Sequence, residues 1–200
     1  MTKMKIKIFY AIVIFLIAHC VAIGQQRQPV TDIFERFLAP KTTDKAAQQL
    51  LRRAKSDPAA RKYVAEHLPS VIEKGPKEAD EPWLNAVRLA GELKMSEATS
   101  ALTRWVSLQT HGTVTMATWA RLDRYPAAKA LSQIGTPALP ALAGVLEHGI
   151  AEERNAATRA LDLIGSSEAK NILQKHLNEE QDPELRALIK NILDHWRPTS

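Results

Sequence analysis

The chain has 200 residues, 45% hydrophobic and 24% charged, with a formal net charge of +5 and an apparent pI of 9.4. That length allows one domain with appendages, and the composition is that of an ordinary folded chain, which excludes fibrous and wholly disordered architectures. The basic excess sits at the N-terminus: residues 1–24 hold three lysines and no acid, so without them the charge is +2, too little for a general pull on nucleic acid.

Residues 1–24 read as a secretory signal. Lys3, Lys5 and Lys7 form a positive start, Ile8 to Ile17 is an unbroken apolar run, and Ala22-Ile23-Gly24 supplies small residues for cleavage before Gln25. The run is short for a membrane span, which needs about 20 residues. The expectation is export to a periplasmic or extracellular space. Cys20 is the only cysteine, so a cleaved chain has no disulfide or thiolate chemistry. Ile17-Ala18-His19-Cys20 faintly resembles a lipobox, although His19 stands where a small residue is expected. Retention of residues 8–23, or lipidation of Cys20, would give a membrane-tethered assembly factor instead.

Residues 25–43 form a polar linker followed by a capping helix, with Ile33, Phe34, Phe37 and Leu38 on one side of it. Residues 44–196 form the repeat domain. Its first helices, the A helices, centre on 44–54, 82–93, 124–134, 154–164 and 184–193. Their inward sets have the spacing i, i+3, i+4, i+7 of one helix face: Ala47, Leu50, Leu51, Ala54; Ala86, Leu89, Ala90, Leu93; Ala127, Ala130, Leu131, Ile134; Ala157, Ala160, Leu161, Ile164; and Leu185, Leu188, Ile189, Ile192. The second helices, the B helices, centre on 58–68, 97–108, 137–147 and 168–178. Ala98, Ala101, Leu102, Trp105 steps by 41 to Leu139, Leu142, Ala143, Leu146, and that set steps by 30 to Ala169, Ile172, Leu173, His176. The A sets shift by the same strides. This coupling predicts an all-α stack of about four helical hairpins plus a terminal helix, an α-α superhelix. Asp57, Thr136 and Asp182 precede prolines as N-caps, Ser96 and Ser167 cap the other two B helices, and Gly135 and Gly165 end A helices in left-handed backbone. Only Thr113-Val114-Thr115 hints at a strand, and it is too short.

The stretch from Tyr125 to Leu142 resembles the consensus of HEAT-like repeats, as do Arg159 to Gly165 and Asp182 to Ala187, particularly the short bacterial kind also seen in phycobilin lyases. The likeness covers about 82–196 well and 44–75 loosely. It implies a superhelical scaffold that binds proteins. It brings no catalytic residue and no cofactor, because no catalytic motif of bilin lyases or of the distant repeat proteins acting on alkylated DNA is matched.

The stride of 41 places about 11 extra residues near 109–123. Insertions between repeats gather on one face, often the binding face. His111, Trp119, Arg121, Asp123, Arg124 and Tyr125 give a polar and aromatic mixture there, set against the plainer reading of a long connection packed on its neighbours. The five histidines outside the signal have no pairing at i+3 or i+4, so no metal spacing appears. His176 takes a core register. Glu179, Glu180, Asp182 and Glu184 read as a solvated acidic turn, and Arg52, Arg53, Lys55, Arg61 and Lys62 as a basic face. Trp83, Trp105 and Trp196 read as packing anchors. The resulting expectation is an exported, non-enzymatic module that binds a protein or peptide. Arg104, Lys170, Gln174 and Lys175 on the B helices and the 109–125 region would supply the contacts. The rival reading is a lyase-like or hydrolytic enzyme with its pocket at 109–125.

Overall fold

The computed structural model describes residues 28–76, 81–110 and 122–197. Residues 1–24 and the candidates His111, Trp119 and Arg121 lie outside them, as does Thr113-Val114-Thr115. Among the described residues there are ten α-helices and no strand: α1 (Val30–Leu38), α2 (Thr43–Ser56), α3 (Pro58–Glu73), α4 (Glu81–Glu92), α5 (Thr99–Thr103), α6 (Pro126–Ile134), α7 (Leu139–His148), α8 (Ala151–Ile164), α9 (Ser167–Glu179) and α10 (Pro183–Asp194). The A helices pack in sequence as one row, α2–α4–α6–α8–α10, and the B helices as a second, α3–α5–α7–α9. The first helix, α1, covers α2 at one end.

Every inward set of the A row is buried except for Leu51 and Leu188, which are half-buried. Small side chains let the helices of this row approach closely. A Cβ on Gly91 of α4 would lie 3.0 Å from Ala130 Cα of α6 and would collide with the Gln133 side chain. Ala86, Ala90, Ala127 and Ala130 complete that seam, while Leu89, Leu93, Leu131 and Ile134 fill the space between the rows. Trp83 and Trp105 meet edge to face with centroids 6.3 Å apart, and Trp83 Nε1 donates to Ile72 O at 3.1 Å. At the capped end, Phe34 packs edge-on against Tyr63, which stacks on His67. Leu38, expected on the inward side of the cap, is instead 46% exposed.

The helix ends follow side-chain chemistry. Asp57 accepts from the N–H groups of Ala59 and Ala60, and Asp182 from those of Glu184 and Leu185. Three expected caps are corrected. Ser166, not Ser167, caps α9. Ser96 and Thr136 make no capping bond, because each begins a short 3₁₀ turn that leads into its B helix. Gly165 is left-handed (φ 64°, ψ 13°), whereas Gly135 takes φ 83°, ψ −140°, a region open to glycine alone. Two B helices differ in length from expectation. The helix α3 runs through Pro69 to Glu73, because continuing buries Ile72 completely and this outweighs the lost backbone bond. The helix α5 stops at Thr103 rather than near 108.

Leu161 has no exposed surface and lies where α8 meets both rows. Leu161→Asp is expected to cost more than about 4 kcal/mol, enough to unfold the C-terminal half. Circular dichroism melting checks this, and a variant with wild-type helicity and Tm would contradict the packing.

Candidate functional site

The long connection returns to the stack on a closed stem. The Thr110 N–H donates to Arg124 O at 2.9 Å, and Gln109 Nε2 donates to the Tyr125 hydroxyl at 3.0 Å. Leu122 holds a positive φ of 57°, a conformation that costs a non-glycine residue about 1–3 kcal/mol. Burial of its side chain, 1% exposed, offsets that strain. Where neighbouring connections are tight turns, this stem stands up as a wall. Beneath it lies a cleft of about 340 Å³. Ala151, Asn155 and Arg159, spaced i, i+4, i+8 on α8, form its floor. Gln109, Leu122, Arg124 and Tyr125 form one wall, and Asp182, Glu184 and Leu185 at the start of α10 form the other, with Glu152 at the edge.

The second wall is clamped from behind. Glu180 is 3% exposed, and Arg154 embraces its carboxylate with two hydrogen bonds of 2.9 Å. His176 Nε2 donates to Glu180 Oε2 at 2.8 Å, and the N–H groups of Gln181 and Asp182 donate to Oε1 at 2.9 Å. The acidic turn is therefore not simply solvated. Glu180 is a buried acceptor that ties α8, α9 and the start of α10 together, and His176 occupies the core register expected of it. Burial alone would push the Glu180 pKa up. The hydrogen bonds from Arg154, Asp182 N–H and His176, with the Arg154 charge, outweigh burial and hold it at about 2. The basic face is engaged in part: Arg61 donates to Leu93 O at 2.7 Å, and Arg53 pairs with Asp57 at 3.0 Å.

The B row carries a separate, shallower groove of about 800 Å³ between α5 and α7. It exists because α5 ends early and because α7 and the turn before it present the small or flat residues Pro137, Pro140, Ala141 and Gly144 toward it, beside Val145 and His148. A Cβ on Gly144 would meet nothing within 4 Å. Arg104 stands at the rim, paired at 3.8 Å with Glu73, and both side chains are at least 60% exposed. Such a pair contributes little, so the Arg104 charge is available.

The sequence-derived candidates thus divide. Arg124 and Tyr125 line the cleft. Asp123 turns away to pair with Lys129. Arg104 lines the groove, and Lys175 lines a third depression between α7 and α9 with Glu147 and His176. Lys170 and Gln174 line none of these depressions. Sequence reasoning missed Asn155, Arg159, Glu152 and Glu184, which come to the cleft from other repeats. Their only local signal is a polar i, i+4 stripe on α8. No group of His, Cys, Asp or Glu able to hold a metal occurs among the described residues, nor any helix long and apolar enough to cross a membrane.

Two rows of paired helices sharing one core define an α-helical repeat protein. Residues 120–192 match the family model for HEAT repeats, so this part of the chain is similar to HEAT repeats. The helices of residues 43–103 lie outside the matched segment but continue the same two rows. Neither the curated proteins nor the solved structures give a match. HEAT repeats generally serve as protein-interaction or scaffold modules and are typically non-enzymatic.

The folded Glu180 pKa lies below the ordinary 4.5, so its contribution is full above pH 4.5 and is lost as pH falls toward 2. The drop is expected to be about 3 kcal/mol across that window, measured by denaturant unfolding at successive pH values. Glu180→Gln should flatten this acid limb and cost about 3–5 kcal/mol at neutral pH. An unchanged limb would show that Glu180 is not its source.

Proposed function

We propose that this chain is an exported, non-enzymatic module that holds a protein or peptide partner on its B row. Gly144 is the observation that carries the reading. A glycine inside a helix costs about 1 kcal/mol relative to alanine, and such positions normally earn their keep by a close contact. Among the described residues, nothing lies within 4 Å of a Cβ placed on Gly144. Its bare backbone instead keeps the floor of the α5–α7 groove low, which suits the close approach of another chain. The small hydroxyls of Ser100 and Thr103 and the flat prolines leave the floor unobstructed, and Arg104 supplies a charge at the rim. The general use of HEAT repeats in protein interaction supports the same reading. The near-neutral charge outside residues 1–24 argues against nucleic acid as the partner. The signal-like character of residues 1–24 is the support for export.

Gly144→Gln fills the groove without straining the helix. It is expected to raise stability by up to about 1 kcal/mol while abolishing partner capture from the exported fraction. Undiminished capture by the more stable variant would remove the groove from the account. Mass spectrometry of the exported protein is expected to find Gln25 first. An intact Met1, or a lipid on Cys20, would replace release by tethering.

A further inference from the structure

The cleft under the stem brings together Arg159, Glu152 and Glu184, whose charges do not pair with one another. Arg159 donates from Nε to Asn155 Oδ1 at 2.9 Å and makes no ion pair with the acids of the cleft, although Asp162, three residues along α8, feels its charge. Glu152 and Glu184 line the same cleft and have no side-chain hydrogen bond or ion pair among those residues. Asp182 differs, because its carboxylate caps α10 through the N–H groups of Glu184 and Leu185, at 2.9 and 3.2 Å. Arg124 adds a second guanidinium to the lining. Opposite charges share one partly enclosed space, yet Arg159 and the two glutamates do not satisfy one another.

The helix keeps them apart. Glu152 and Arg159 are seven residues apart on α8, which is about 10 Å along the axis. A ligand that meets both must carry both signs at that separation. A polyanion would be repelled by Glu152, Asp182 and Glu184, and a polycation by Arg124 and Arg159. An extended tripeptide places its terminal ammonium and carboxylate about 10 Å apart. A volume of about 340 Å³ lies at the small end of ligand sites. Asn155 Nδ2 and Gln109 Oε1 make no hydrogen bond among the described residues, so a peptide amide would find a donor and an acceptor between the charged ends. Leu122, Tyr125, Ala151 and Leu185 supply the apolar surface for side chains.

We propose that this cleft is a receptor site for short free peptides of about three residues. Arg159, beside Arg124, takes the terminal carboxylate, and Glu152 with Glu184 takes the terminal ammonium. The site is on the A row and is independent of the B-row groove.

Equilibrium dialysis with a randomised tripeptide pool tests the proposal. The pool is used with free ends, with acetylated N-termini and with amidated C-termini. The free-ended pool is expected to bind saturably, and amidation or Arg159→Gln should each weaken binding at least tenfold. Acetylation and Glu152→Gln should each weaken it several-fold. The amidated pool should lose nothing further with Arg159→Gln, which separates recognition of the carboxylate from a structural role of the side chain. Thermal melts of the variants should match wild type. Failure of the free-ended pool to bind wild type, or equal binding of free and blocked pools, would overturn the proposal. So would an Arg159→Gln loss that is the same for both pools. Gly144→Gln is expected to bind the tripeptides as wild type does, so the cleft and the groove stand or fall separately.

Discussion

No hairpin in this chain has enough apolar surface to stand alone, and the rest of the structure answers that constraint. An A helix offers four inward residues, of which two are alanine in four of the five layers. Burying a Leu or Ile yields about 1.5–3 kcal/mol, while ordering each residue costs about 1–2 kcal/mol in backbone entropy. The balance closes only when each layer is covered by the next. Alanine and Gly91 let neighbouring helices come close, so that a modest number of larger side chains fills the space between the rows. The same logic explains α1, whose Ile33, Phe34 and Phe37 cover an end that would otherwise lie bare.

A layered core leaves the connections free to vary, and this is where the surface features arise. The residues flanking the long connection before α6 are tied together at Thr110 and Arg124, and the strained Leu122 is anchored by burial. Gln109, Leu122, Arg124 and Tyr125 of the stem line the cleft beside the α8 residues Ala151, Asn155 and Arg159. On the other side, Glu180 fixes the turn before α10 through Arg154 and His176, so Asp182 and Glu184 are held in place opposite the stem. Both walls are therefore held by hydrogen bonds that belong to the fold itself, which favours a preformed site. The B-row groove arises differently, from an early helix stop at Thr103 and from small residues on α7.

Much of the fold is legible in the sequence because the repeat is written in helix-period apolar sets. Ala127 to Ile134 and Ala157 to Ile164 align at a stride of 30, and both are buried as aligned. The misses share one cause, which is tertiary packing overriding local rules. The helix expected over 58–68 runs on through Pro69, because Ile72 gains by burial beyond it. Glu180 looks like one acid among several, and only the fold brings Arg154 to it from 26 residues away. Leu38 shares the helix face of the cap but falls past the edge of the first hairpin. The candidate site was half legible. The anomalous stride pointed to Arg124 and Tyr125. Asn155, Arg159 and Glu184 come from later repeats, and a polar residue on an outer helix face gives no sign of what stands beside it.

The interdependence of the layers is tested most directly by native-state amide hydrogen exchange, resolved helix by helix. The buried amides of α4, α6 and α8 are predicted to exchange at one shared free energy equal to that of global unfolding, because no hairpin can open without exposing its neighbours. Separate, lower free energies for each hairpin, with no common limit, would contradict a continuous core.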